Sequence, residues 1–409
     1  MSNSNLKDDF NISIDEVYLK SLLEQMIEIN SIIGKEKDLA VFLAQELQKL
    51  GMGIQLDDVE PNRPNIYASY IFDMKGKTMT INSHLDTVAI CEGWSVDPFL
   101  PYEKNGRLYG LGSSDMKAGI ACSIAAIKAL IESNLDLSGQ IHYTAVVDEE
   151  GYGEGAKKML THPFFGKGKT AGVLITEPSF GEYDSLALPL GMTGKILYKI
   201  SFHGKSAHAF TPEDGINAIE SASIFLTALT NSLNDSKITP AFQMPIDDEF
   251  GRGSFCALKM EGGYKVYSVV VPDQCEIILN RLIVPGENKE SAFNDLKEFI
   301  DKLKLKSNYT LEVVPPYYLP YKTPKDSLIC KSLVSAYQIE FNKEPEFNYR
   351  NMITDANTFM GDGNIPTMIF GPRGGNIHAA DEYVILDSLE KTAKIYARTF
   401  QEFQKSSIL

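Results

Sequence analysis

An apolar, β-branched run, Thr78-Met79-Thr80-Ile81, leads into Asn82-Ser83-His84-Leu85-Asp86-Thr87-Val88. A run of this kind forms a buried strand, which delivers His84 and Asp86 to the point where strand becomes loop. In open α/β sheets that carboxyl edge is where ligands bind. Period-2 alternation turns His84 and Asp86 to the same side of the strand, within reach of each other. By itself a His-x-Asp is weak evidence, because strand-end histidines are commonly just hydrogen-bonded. It gains weight from residues of the same chemistry at other strand ends.

Helical spacing of apolar residues predicts helices over 14–30 and 35–50, the second stopped by Gly51. Strands are expected at 65–72 and 77–83. A long loop then carries Trp94 and leads to Tyr109-Gly110-Leu111-Gly112-Ser113-Ser114-Asp115-Met116-Lys117, which opens an apolar helix running to about 132. Asp115 sits where a carboxylate also serves as a helix cap. The strand expected at 140–147 ends in Asp148-Glu149-Glu150-Gly151. Burying three acids without cations is costly, so a solvated turn is one reading. In extended backbone, however, Glu149 and Glu150 point opposite ways and can divide two tasks. A short strand at 172–176 ends in Glu177-Pro178, where the proline keeps Glu177 extended.

Strands alternating with helices up to this point predict an α/β domain, a mixed sheet with helices on both faces. From 191 the pattern changes to strand 195–203, helix 215–233, strands 254–260, 266–271 and 275–284, and helix 289–303. That order describes a separate α+β unit, so the expected division is 1–190 with 307–409, interrupted by an insert at 191–306. The parent fold is expected to resume with a strand at 310–314, a helix at 327–341, a strand at 366–370 and a helix at 386–403. The glycine-rich loop 371–378 after that strand matches neither P-loop nor dinucleotide spacing.

A chain of 409 residues is long enough for two cores. A net charge of −15 argues against nucleic acid or an anionic membrane as partner. Five scattered cysteines without C-x-x-C spacing read as reduced thiols, mostly core. The stretch 1–10 is polar and lacks the apolar core of a signal peptide, and no run approaches the length of a membrane span, so the cytoplasm is the expected compartment.

His84, Asp115, Glu150, Glu177 and His378 thus each fall just past a strand or at a helix start. Two imidazoles and three carboxylates suit borderline divalent ions, zinc first, then cobalt or manganese. Five ligands hold two metals when one carboxylate bridges.

With these stretches assembled, the chain resembles the dinuclear-zinc aminoacylase and carboxypeptidase family, which includes acetylornithine deacetylase, succinyl-diaminopimelate desuccinylase and glutamate carboxypeptidase. The resemblance spans about 80–385. It rests on Ser83-His84-Leu85-Asp86-Thr87-Val88, Gly110 to Lys117, Asp148-Glu149-Glu150-Gly151, Thr176-Glu177-Pro178 and His378. Within the insert it rests on His203-Gly204-Lys205-Ser206-Ala207-His208 and Gly215-Ile216-Asn217-Ala218-Ile219.

The resemblance implies a zinc-exopeptidase-like catalytic domain with an inserted lid and dimerisation domain, and hence a homodimer. It implies His84, Asp115 and Glu177 on one metal, and Asp115, Glu150 and His378 on the other. Asp86 would orient His84. Glu149 would be the general base toward a metal-bridged water. His208 would contact the oxyanion, and Arg281 would grip the substrate carboxylate. Departures are Leu111 for an arginine, Ala118 for a glycine, Ser268-Val269-Val270 where a lid asparagine is usual, and Arg373 where glycine is common. The last two border the substrate, and Arg373 joins the substrate-contact candidates.

The activity implied is removal of an acyl group from an N-acyl amino acid or similar small amide. Family members that cut free di- and tripeptides tend to carry Asp where Glu177 stands, which leans the reading toward deacylation. A carboxypeptidase or dipeptidase on the same scaffold is the nearer rival. A catalytically dead binding protein is the more distant one, since no ligand and no base is missing.

Overall fold

The computed structural model describes residues 12–181, 186–234, 237, 240–266 and 268–405; the polar stretch 1–10 lies outside them. The chain divides into two compact units. The first comprises Met1–Leu190, Thr323–Asn348 and Thr354–Leu409, and the second Gly191–Lys322 and Tyr349–Ile353.

The first unit opens with helices α1 (Glu16–Glu28) and α2 (Lys37–Lys49). Asp15 caps α1 by accepting the Tyr18 N–H at 3.0 Å. Strands β1 (Gly53–Glu60) and β2 (Arg63–Ile71) pair antiparallel. No strand is expected over β1 from the sequence, because an acidic stretch with few apolar residues lacks alternation. At the sheet edge such charge is tolerated. Strand β3 (Thr78–His84), helix α3 (Lys117–Glu132), strand β4 (Gln140–Val146), helix α4 (Glu154–Thr161) and strand β5 (Val173–Ile175) follow.

The second unit holds β6 (Gly194–His203), α5 (Ala218–Asn234), β7 (Ser254–Gly262), β8 (Gln274–Ile283), α6 (Lys289–Lys302) and β9 (Asn308–Tyr318). Its sheet is antiparallel, in the order β7-β8-β6-β9. Alternate residues of β6 and β8, such as Tyr198, Ile200, Ile277 and Leu279, form a core with Phe225 and Phe299 of the two helices.

Two expectations need correcting here. The insert does not close at 306. Tyr309, Leu311 and Val313 form an apolar face against this core, so the strand expected at 310–314 is edge strand β9, paired with β6. Alternation fixes that face but not which sheet receives it. Among its described residues the strand expected at 266–271 is a loop between β7 and β8, in which Val266 is 77% exposed and Val270 forms an isolated bridge with His208.

The first unit resumes with α7 (Leu328–Phe341), β10 (Thr367–Ile369) and α8 (Asp387–Lys405). Its six-stranded sheet runs β1-β2-β4-β3-β5-β10. Pairs β1/β2 and β2/β4 are antiparallel, and β4/β3, β3/β5 and β5/β10 are parallel. Nearly every residue of β3 and β4 is buried, on alternating faces, which requires helices on both sides. Burial of Met79 and Ile81 contributes roughly 1.5–3 kcal/mol each. Among the described residues no helix is long and apolar enough to cross a membrane. Cys122, Cys275 and Cys330 are buried, Cys91 and Cys256 are exposed, and all five are unpaired.

Candidate metal centre

Four parallel strands end at one edge of the first unit's sheet, and the chemistry gathers in the loops that leave them. His84 is the last residue of β3. Glu149 and Glu150 follow β4, Glu177 follows β5, and His378 lies in the loop after β10. Asp115 arrives from the opposite direction, two residues before α3. It does not cap that helix, whose N-terminus has no side-chain cap.

Distances connect these residues through Asp115. Its Oδ1 lies 3.1 Å from His84 Nε2, which is itself 3.6 Å from Glu177 Oε1. Its Oδ2 lies 3.3 Å from His378 Nε2, which is 2.7 Å from Glu150 Oε1. One carboxylate therefore offers one oxygen to each of two groups, His84–Asp115–Glu177 and Asp115–Glu150–His378. Within each group the donor atoms lie within 4.8 Å of one another, and the same holds for His84, Glu149 and Glu150.

Electrostatics give these donors a common character. Burial drives Glu149 well above the usual carboxylate range, and the charge of Glu177 adds to it. Glu177 is raised the same way, by burial and then by Asp115. Burial opposes a charge on His84, yet its hydrogen bond with Asp115 and the charges of Glu177 and Glu149 hold its pKa well above the ordinary imidazole value. Hydrogen bonds with Asp115 and Glu150 raise His378 to about 10. Here protons stand in for positive charge among crowded carboxylates. An imidazole and carboxylate set of this kind, without thiolate, fits zinc, cobalt or manganese.

Glu149 and Glu150 are neither on a solvated turn nor on extended backbone. Asp148 has φ +73° and starts a turn, which brings both carboxylates to the same group with His84. Arg63 fixes the turn's start by donating to Asp148 Oδ1 at 3.1 Å while also pairing with buried Glu36. The Asp86 carboxylate takes up its far side, accepting the N–H of Glu149 at 3.2 Å and of Glu150 at 2.9 Å. This corrects the expected role of Asp86. His84 Nδ1 bonds to the Asp86 backbone oxygen at 2.8 Å, whereas its carboxylate stands 3.9 Å away. A carbonyl accepts only from N–H, so Nδ1 carries a proton directed at Asp86, while Nε2 faces the Asp115 carboxylate at 3.1 Å.

The substrate candidates fare differently. Arg281 is fully buried in the second unit. Its guanidinium pairs with Glu287, donates to the Ala292 carbonyl at 2.9 Å and stands beside the rings of Phe242 and Phe255, 5.5 and 5.3 Å from their centres. It is a core ion pair, and the expected grip on a substrate carboxylate is withdrawn. Arg373 is half-buried beyond β10, bridged to Ser179 two residues past Glu177, and donates through Nε to the Gly181 carbonyl at 2.7 Å. His208 is exposed on a loop of the second unit and accepts the Phe210 N–H at Nδ1, which leaves its proton on Nε2.

Two buried acids escaped the sequence reading. Asp355 accepts from Asn82 Nδ2 at 3.2 Å, and its charge bears on both Glu149 and Glu177. Glu382 accepts backbone N–H groups from the Asp115 loop. Neither lies at a predicted strand end; the one available signal for Glu382 was its place four residues after His378.

Comparison with known proteins identifies the family. The model of peptidase family M20/M25/M40 matches residues 80–402. A succinyl-diaminopimelate desuccinylase of Wolinella succinogenes is 25% identical over 376 residues, covering 91% of this chain and 96% of its own. The crystal structure of aminopeptidase PepT from Bacillus cereus superposes with a TM-score of 0.76 at 20% identity, covering 95% of this chain and 99% of that one. A Bacillus subtilis protein described as a dinuclear metal-binding peptidase of the M20 family superposes at 0.71 and 14% identity, covering 95% and 98%. The chain belongs to peptidase family M20/M25/M40 and is a metal-dependent amide hydrolase.

Proposed function

We propose that the protein is a dinuclear deacylase that removes an acyl group from an N-acyl amino acid or similar small amide. The observation that carries this reading is Asp115, whose two oxygens each face a separate imidazole and carboxylate group. His84, Asp115 and Glu177 would hold one ion, and Asp115, Glu150 and His378 the other, zinc in both. When bound, two such ions supply Lewis acidity toward the amide carbonyl and acidify the attacking water.

Glu149 is the acid left outside the two groups that share Asp115, and it is assigned as general base. Its carboxylate accepts the proton of the attacking water and returns it to the leaving nitrogen. The Asp86 carboxylate, through the paired N–H groups, keeps Glu149 and Glu150 in fixed relation. His208 Nε2–H is assigned to the charge that develops on the carbonyl oxygen. Arg373 is assigned to the substrate's carboxylate. Likeness to desuccinylases over most of the chain, together with Glu177, favours acyl amides over free peptides.

The test is a substrate panel run with wild type and two variants. N-succinyl and N-acetyl amino acids should be cleaved in preference to di- and tripeptides. Cleavage of peptides alone would make the protein a peptidase instead. Glu149→Gln should lower turnover about 10²–10⁴-fold with metal content unchanged, whereas Glu150→Gln should lose metal; the opposite pattern reverses these two assignments. On the preferred substrate Arg373→Ala should raise KM, and an unchanged KM removes Arg373 from the site.

A further inference from the structure

Glu382 is 2% exposed, and the chemistry above does not use it. Its carboxylate accepts the Gly112 N–H at Oε2 (2.7 Å) and the N–H groups of Ser114 and Asp115 at Oε1 (both 2.8 Å). Its own backbone oxygen accepts the Gly110 N–H at 3.1 Å. Four amides of the loop that presents Asp115 therefore end on one residue.

The connection is framed on both sides. Arg107–Tyr109, just before the loop, pairs antiparallel with Tyr383–Ile385, just after Glu382. Gly112 adopts φ +74°, and a Cβ there would lie 2.6 Å from Thr87 Cγ2, so the loop is moulded to its surroundings. Buried N–H groups without partners are costly, and ionised acceptors make the stronger hydrogen bonds. Both oxygens of Glu382 are used. A glutamine would keep one acceptor oxygen and turn an NH₂ toward at least one N–H.

We propose that Glu382 is a positioning residue that pre-forms the Gly110–Asp115 loop, so that the carboxylate shared by both ligand groups is aimed before any ion arrives. A loop ordered in advance avoids the entropic cost of ordering on binding. Outer carboxylates of this kind tune affinity as well as orientation. Because Asp115 belongs to both groups, losing the clamp weakens both ions. A role exerted only through His378, four residues upstream, would weaken one. The proposal rests on the two-ion reading above.

The experiment titrates cobalt into the chelator-treated full-length protein, followed by its visible absorption, and compares wild type, Glu382→Gln and His378→Ala. Glu382→Gln should bind both ions about 10–100-fold more weakly with an altered cobalt spectrum, whereas His378→Ala should weaken one. Unchanged affinities and spectrum in Glu382→Gln overturn the proposal. If wild type takes up no cobalt, the two-ion reading fails, and amide exchange of the metal-free protein judges the clamp separately. The N–H groups of Gly112, Ser114 and Asp115 should exchange slowly in metal-free wild type and at least about 10-fold faster in Glu382→Gln. Fast exchange in wild type overturns the clamp, and that measurement decides even where the variant fails to fold.

Discussion

The guanidinium of Arg281 and the carboxylate of Asp86 have the chemistry the sequence suggests but different partners. The family resemblance implies that Arg281 would grip an anionic substrate. Arg281 instead faces inward, and Glu287 reaches it from the turn that follows β8. Removing one member of a buried pair leaves a charge without a partner. Arg281→Ala is therefore expected to cost about 3–5 kcal/mol of stability, with KM unchanged in whatever folds. Thermal unfolding together with substrate saturation checks this. A raised KM at unaltered stability would return Arg281 to the substrate. Asp86 carries a related lesson. Period-2 spacing from His84 sets the side on which Asp86 is expected, but the turn at Asp148 decides that two amides donate to its carboxylate, which stands 3.9 Å from the imidazole. The metal-ligand candidates were legible residue by residue because strand ends and motif spacing identify them. Asp355 and Glu382 were not, since their partners are backbone or amide groups distant in sequence.

At the scale of elements, β4 and α4 bring together histidines that sit in no motif. His142 on β4 is 4% exposed, its ring lies 4.3 Å from Phe165, and its Nδ1 has no hydrogen-bond partner. Burial, with the nearby His162 adding to it, lowers its pKa to about 4 from 6.5. The unfolded chain takes up this proton first as pH falls. The penalty on folding is thus absent above about 6.5, grows below it and is complete near 4. A shift of this size corresponds to about 3 kcal/mol. His142→Leu removes the titration, so between pH 7 and 4 the variant should gain up to that amount relative to wild type. Unfolding midpoints of both proteins across this range provide the check, and a difference that does not change with pH would refute it. Elements with a strong period were readable in sequence, as α1, α3, β3 and β4 are. Polar β1 was not, and neither was the sheet to which β9 belongs.

Across the whole molecule, the most exposed long strand is β7, at the edge of the second unit's sheet. Leu258 on it is 58% exposed and Met260 42%. An edge of that kind can pair with another copy of itself. We propose a symmetric dimer through β7, in which His208 serves the site of the partner subunit on lid closure. Leu258→Lys should shift the sedimenting species toward monomer, and an unchanged dimer would exclude this edge. Mixing His208→Ala with Glu149→Ala under verified subunit exchange should restore activity, because one site of the mixed dimer then has both groups. Continued inactivity would confine His208 to its own chain.

The sequence by itself determined which residue types stand at the ends of the parallel strands, and hence the metal-hydrolase chemistry. The strand ends follow from local periodicity and the ligand types from short motifs, while the hydrolase reading follows from the resemblance of those motifs to a known family. The family resemblance already implies Asp115 in two groups; only the tertiary structure decided that Asp86 and Glu382 hold backbone amides and that Arg281 is enclosed. Each of these depends on loops far apart in sequence meeting at a sheet edge or within a core. Periodicity fixes the direction of a side chain but not what packs against it.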